Sequence, residues 1–377
     1  MNEISAEKQA KQSNVMTNRA GIKKLLTGNE VLVKGALAAG AKMMTGYPIT
    51  PTTEIMEHWS EAAAKDPSLK FLQTEDEMAA GFALIGANLA GMKAFTASAG
   101  PGNVLMQDAF SMAENMRLPT VAFIMQRGGP STGTVIYSQQ EVNLTCFGGN
   151  GEGLRIVYST AGLQDLYDYS IKAFNTAWKY RFPTFVLGDG YQAKMLSEVE
   201  IYDPKEKNIE IIDPTAYLLN PNKGADEYVN LRNTYNLEEE LADILAMHQK
   251  AFSDISPEVV EYEDLHTLDA EIVIFAHGIV AAAAKEAQDY LRSKNLKVGL
   301  FRPITLSPFP SDSARQVIQN KKVLLIIESS MGQFSRLVKS HLCESCQFKV
   351  IEMTKPALGI NTEEIIKKVE DILKETK

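Results

Sequence analysis

The chain is poor in the residues that staple small extracellular domains and in those that build metal centres. Three cysteines, Cys146, Cys343 and Cys346, occur in 377 residues. They give no disulfide framework, so a reducing cytoplasm is the simplest compartment, with Cys146 expected as a buried thiol. Histidines number five. His248, His266 and His277 show no ligand spacing, and His58 is expected on a helix surface. Cys343-Glu344-Ser345-Cys346 is a single CxxC with only His341 nearby, and a lone pair of this kind reads as incidental cysteines rather than a metal or redox site. No apolar run approaches the ~18–20 residues of a membrane span, so no membrane partner is expected. The first twenty residues are polar and lack an apolar signal-peptide core; residues 1–27 are expected to form a polar arm. Positive charge is also in deficit: the formal net charge is −9. That disfavours nucleic acid as a partner, and it suits a small anionic substrate only where cations are gathered locally. No short-period repeat is visible.

What is present is an alternation of helix and strand patterns on a chain long enough for two cores. Gly28–Ala41 reads as a helix that Asn29 can cap. Short apolar strands follow at Met43–Thr45, Lys70–Gln73, Lys93–Ala97, Thr120–Met125, Arg155–Tyr158 and Thr184–Leu187, with helices between them. Such alternation predicts an α/β fold with a doubly wound parallel sheet, over residues 28–198. Residues 199–264 are rich in Asp, Glu, Asn, Lys and Pro and read as an acidic linker with one amphipathic helix, about Glu227–Ala251. A second, smaller α/β unit is predicted over 265–377, with parallel strands at Glu271–Ala276, Lys297–Phe301, Val323–Glu328 and Lys349–Glu352.

Chemistry is concentrated in the loops of the first unit. In Gly46-Tyr47-Pro48-Ile49-Thr50-Pro51 two prolines fix the backbone and push Tyr47 and Thr50 away from helix. The result is a stiff loop at a strand end, where open α/β sheets present groups to ligands. Glu75 follows the next strand, in Gln73-Thr74-Glu75-Asp76-Glu77. Asp76 and Glu77 are read as helix caps that complement the dipole. Ser98-Ala99-Gly100-Pro101-Gly102 opens a helix and either holds an anion on free N–H groups or is a tight structural turn. Arg127 ends a strand and enters Gly128-Gly129-Pro130-Ser131-Thr132-Gly133. Its planar guanidinium suits a carboxylate, glycines let the backbone approach a ligand, and Ser131 adds a hydroxyl.

Taken in order, the loops GYPITP, QTEDE, SAGPG and RGGPSTG resemble the α subunit of the 2-oxoacid:ferredoxin oxidoreductases. The later TLSPFP and ESSMGQFSR segments resemble that family's second domain. The resemblance covers about Gly28 to Lys377. It implies a thiamine-diphosphate pyrimidine-binding domain followed by a smaller transketolase C-terminal-like domain. It further implies CoA-dependent oxidative decarboxylation of a 2-oxoacid to acyl-CoA and CO2, or the reverse, with ferredoxin taking the electrons. Glu75 would be the catalytic glutamate on the cofactor's pyrimidine, with Tyr47, Pro48 and Ser98 as further cofactor contacts. Thr50, Arg127 and Ser131 would bind substrate. This chain has no metal-binding GDG…N motif, since Gly188-Asp189-Gly190 lacks the following Asn, and no four-cysteine cluster pattern. The resemblance therefore implies a β subunit holding the diphosphate, Mg2+ and a [4Fe-4S] cluster, with γ and ferredoxin-like δ chains. The GPSTG form favours 2-oxoglutarate, but Tyr137 stands where 2-oxoglutarate-type relatives carry a basic residue, so pyruvate and branched-chain 2-oxoacids stay open. A transferase or synthase of transketolase type, and a non-catalytic assembly subunit with the same fold, are the alternatives.

Overall fold

The computed structural model describes residues 21–213, 231–342 and 348–375. The first twenty residues and Cys343 and Cys346 lie outside them. Fourteen strands are described: β1 (Ile22–Thr27), β2 (Met43–Gly46), β3 (Lys70–Gln73), β4 (Ala94–Ser98), β5 (Val121–Gln126), β6 (Ile156–Ser159), β7 (Thr184–Asp189), β8 (Leu196–Ile201), β9 (Tyr262–Leu265), β10 (Ile272–Phe275), β11 (Val298–Pro303), β12 (Thr305–Ser307), β13 (Val323–Glu328) and β14 (Lys349–Thr354). The first large sheet runs β12-β6-β7-β5-β4-β2-β3. Its six strands from the first unit are parallel. The chain steps from β2 to β3 on one side and then returns to β4 on the other. The gap between β2 and β4 is therefore the topological switch point, where the carboxyl ends of the strands diverge and leave a crevice.

The second sheet runs β14-β13-β10-β11-β9, with β9 antiparallel at its edge and a switch point between β13 and β10. Two details were not legible in the sequence. β12, contributed by the second unit, adds antiparallel to β6 of the first sheet. Ile22–Thr27, expected as part of a polar arm, pairs with β8 as a small antiparallel sheet; Leu26 is its buried residue. The linker helix spans Glu238–Val259 with Pro257 inside it, later than the expected start. Its predicted first residues, 227–230, fall outside the described ones.

One face of the first sheet is packed by Trp59, Phe95, Phe123 and Phe174, with Phe95 edge-on to Trp59 at 4.9 Å. Burial of each such side chain stabilises by about 1.5–3 kcal/mol. The other face shares one apolar cluster with the second sheet. Ile124, Val157, Phe185 and Leu187 belong to the same cluster as Val273, Phe275, Phe301 and Ile326, with Val142 and Cys146 of the helix Val142–Phe147 among them. The two units thus bury apolar surface against each other, and the loops above both sheets are held in fixed relation.

Candidate active site

Four loops leave the carboxyl ends of β5, β4, β2 and β3, which are neighbours in that order, and they bring together most of the residues singled out in the sequence. The loop after β2 is pinned by Asn29, whose amide donates to the Pro51 carbonyl at 2.8 Å and to Glu54 at 3.0 Å. The expected helix cap is therefore a loop anchor. The cap of Gly28–Ala38 is Thr27, in a reciprocal capping box with Glu30. Thr52 closes the loop from the other side, donating its N–H and hydroxyl to the Ile49 carbonyl. Tyr47 is half-buried, and Pro48 and Thr50 are exposed.

Arg127 is 95 % shielded and reaches across the crevice: its Nη1 donates to the Thr50 carbonyl at 2.7 Å, and its buried Nε has no partner among the described residues. Gly100 permits this. Its φ is +53°, and a Cβ there would fall 2.7 Å from Arg127 Nε, so a side chain would displace the guanidinium.

Glu75 sits in the turn after β3. Thr74 fastens one side of that turn, bonding the carbonyls of Gly46 and Asp76, and Asp76 fastens the other by accepting from Ala79 N–H at 2.7 Å. The Glu75 side chain is exposed and makes no hydrogen bond or ion pair with the described residues. Asp76 caps its helix, as expected. Glu77 is the acidic residue of that helix's first turn, as expected, and it is buried. Burial raises its carboxyl above the ordinary range, with Asp76 adding repulsion, against its own backbone N–H and Arg127. Ser98, the last residue of β4, is fully buried, its hydroxyl has no partner among the described residues, and both it and Glu77 crowd the position a Gly102 Cβ would take. Ser131 stands at an exposed loop tip with φ +55°; no bond joins it to the other candidates.

Glu141 was missed by sequence reasoning. It is buried and accepts from Gly100 N–H (2.8 Å), Arg127 N–H (3.0 Å) and Asn103 Nδ2 (2.9 Å), stitching the loop after β4 to the loop after β5. Burial pushes its carboxyl up, against those donors and the Arg127 charge. Nothing local marks it, because its partners lie far away in sequence. Asp189 of the Gly-Asp-Gly turn caps the short helix Gly190–Lys194 through Tyr191 and Gln192 N–H, consistent with a structural turn. Tyr137 is buried and stacked on Tyr191 at 4.7 Å. Cys146 is a buried free thiol, raised to about 12 by burial. Among the described residues no group of three His, Cys, Asp or Glu could hold a metal ion, and no helix is long and apolar enough to cross a membrane.

Comparison with known proteins identifies the family. Residues 34–264 match the family described as pyruvate flavodoxin/ferredoxin oxidoreductase, thiamine diP-bdg, and residues 270–365 match pyruvate:ferredoxin oxidoreductase core domain II. The chain is 34 % identical to the 2-oxoglutarate synthase subunit KorA of Methanocaldococcus jannaschii, over 82 % of its own length and 88 % of that protein. It is 32 % identical to the ketoisovalerate oxidoreductase subunit VorB of Methanothermobacter marburgensis, over 93 % and 98 %. Its fold is that of the 2-oxoglutarate:ferredoxin oxidoreductase from Magnetococcus marinus, solved with 2-oxoglutarate, coenzyme A and succinyl-CoA bound. The TM-score is 0.83 at 24 % identity, covering 93 % of this chain and 65 % of that one. With one family matched across more than half of its length and relatives about a third identical over most of it, the chain belongs to the 2-oxoacid:ferredoxin oxidoreductases, as a subunit of such an enzyme.

Proposed function

We propose that this subunit supplies one half of a thiamine-diphosphate site that oxidatively decarboxylates a 2-oxoacid to acyl-CoA and CO2, passing electrons to ferredoxin. The observation that carries the reading is the switch-point crevice. There a buried arginine is tied to the Thr50 carbonyl, and an unpartnered carboxylate stands on the neighbouring strand end.

The residues present fit the pyrimidine end of the cofactor. Glu75 is free to accept or share a proton with a ring nitrogen, and the buried Ser98 hydroxyl has no partner among the described residues. Tyr47 and Pro48, on the loop after β2, would add apolar and aromatic surface. When bound, thiamine diphosphate supplies the carbon nucleophile and the electron sink. Arg127 pairs with the substrate carboxylate, through donors not engaged by Thr50. Thr50 and Ser131 offer hydroxyls to the 2-oxo group. Glu75 would hold or pass a proton at the cofactor's ring nitrogen. Glu141 holds Arg127 in place without meeting substrate.

This is half of a site. Glu75 is exposed, as are Leu72, Met78 and Phe82 close to it in sequence and Val104 and Leu105 on the helix packed against Glu77–Leu89, apolar surface that suits a second subunit. A β subunit is proposed to cover it, bringing the diphosphate, Mg2+ and a [4Fe-4S] cluster, with γ and ferredoxin-like δ chains completing a cytoplasmic complex. Residues 28–198 and 265–377 are proposed as the pyrimidine-binding and transketolase C-terminal-like domains, joined by 199–264.

The Gly-Pro-Ser-Thr-Gly loop favours 2-oxoglutarate, the substrate in the KorA relative's name. A branched-chain 2-oxoacid is the second reading, favoured by one observation. No Lys, Arg or His lies between Arg127 and Arg155, Tyr137 is turned inward, and Val135 and Ile136 are exposed instead. Anaerobic reduction of a low-potential dye by the native complex with coenzyme A, run across 2-oxoglutarate, pyruvate and 2-oxoisovalerate, decides between them. Turnover with none would overturn the proposal.

A further inference from the structure

The second sheet has its own switch-point crevice, between the carboxyl ends of β13 and β10, where a doubly wound sheet ordinarily receives a ligand. Here the crevice is filled by a side chain of the first unit. Gln139 is 99 % shielded. Its Nε2 donates to the His277 carbonyl just after β10 at 2.8 Å, and its Oε1 accepts from Ser329 N–H just after β13 at 2.9 Å. Its backbone N–H donates to the Ser329 carbonyl at 3.1 Å, as does the hydroxyl of Ser138, also at 3.1 Å. One amide thus satisfies a donor and an acceptor on the two strands that flank the gap.

The seat is shaped for this amide. Gly278 has φ +60°, and a Cβ there would fall 2.7 Å from Gln139 Nε2. Flanking bonds extend the anchor: Gln333 donates to the Gln140 carbonyl at 2.7 Å and accepts from Asn143 N–H at 3.1 Å. Gln140 Oε1 in turn accepts from Gly129 N–H, and the Glu141 carboxylate accepts from Arg127 N–H. The loop from Arg127 to Glu141 is therefore tied at its base to the first sheet and at Gln139 to the second.

We propose that Gln139 is a positioning residue, and that the crevice of the second sheet serves to hold the Arg127–Glu141 loop in its substrate-binding form rather than to bind a ligand of its own. The proposal rests on the reading of Arg127 as the arginine that meets the substrate carboxylate. It assigns a task to the second domain that the reaction itself does not require of it.

The test is Gln139→Ala in the complete complex, read in two ways. Amide hydrogen exchange over residues 128–139 should become at least about tenfold faster, with β5 still protected. KM for the 2-oxoacid should rise roughly tenfold, with kcat changed less than about threefold, because the loss is of substrate positioning rather than of the reacting groups. Unchanged exchange overturns the proposal, as does faster exchange with unchanged KM. Gln139→Asn keeps the amide but is one methylene too short to span both partners, and it carries the same readouts if the alanine variant does not assemble. A wild-type complex without 2-oxoacid turnover would instead refute the reading of the site, while the exchange measurement would still decide whether Gln139 anchors the loop.

Discussion

Arg127 joins two loops that leave strands on either side of β4, and it does so with one guanidinium edge. On the proposed reading the other donors meet the substrate carboxylate, a division that only a forked cation allows. Arg127→Lys should therefore raise KM for the 2-oxoacid roughly 10- to 100-fold, the scale of a lost charge-assisted hydrogen bond, with a smaller change in kcat; steady-state kinetics of the variant complex checks this. Asp189 offers a separate test away from substrate. Burial raises its carboxyl to about 7, although the N–H groups of Gln192 and Tyr191 pull it down. In the unfolded chain the same group ionises near 3.8. The folded state thus holds the proton more tightly, and stability is lost as pH rises from that lower value through about 7, by roughly 1.4 kcal/mol for each pH unit crossed. Asp189→Asn keeps the accepting oxygen and removes the titration. Its stability relative to wild type should grow between about pH 5 and about pH 8 in denaturant unfolding; a difference independent of pH would contradict the assignment.

Most helices and strands were legible because their periodicity is local. β5 and β13 were found within a residue or two, since each is a continuous apolar run. What failed depended on distant partners. Thr27 and Asn29 are both good capping residues, and the choice was settled by Pro51, whose carbonyl takes the Asn29 amide. β12 is three residues long and exists because β6 offers an edge. Ile22–Thr27 carries two lysines and is exposed along most of its length, so only pairing with β8 makes it a strand. The candidate site divided in the same way. Thr50, Arg127 and Ser98 stand in or beside segments whose glycines and prolines announce them, and Glu75 stands in a turn between a strand and a helix, whereas Glu141 and Gln139 act through backbone groups that no spacing reveals. The Thr27 capping box gives the prediction at this scale: Thr27→Ala should cost about 0.5–2 kcal/mol, seen as a lower unfolding midpoint with kinetics unchanged.

At the scale of the whole chain, two mostly parallel sheets share an apolar cluster and exchange elements in both directions, β12 to the first sheet and Gln139 to the second. This ties the Arg127–Glu141 loop to both sheets, while Glu75 stays exposed. Glu75 as the proton-handling carboxylate of a thiamine-dependent 2-oxoacid site is what would distinguish this subunit from a non-catalytic assembly chain. The most direct measurement is anaerobic, coenzyme A-dependent dye reduction by intact complexes containing wild-type or Glu75→Gln chains, on the 2-oxoacid that the wild type turns over. The account predicts a loss of kcat of at least about 100-fold, on the scale of general acid–base catalysis, with assembly and cluster content preserved. An intact Glu75→Gln complex that turns over at the wild-type rate would contradict it.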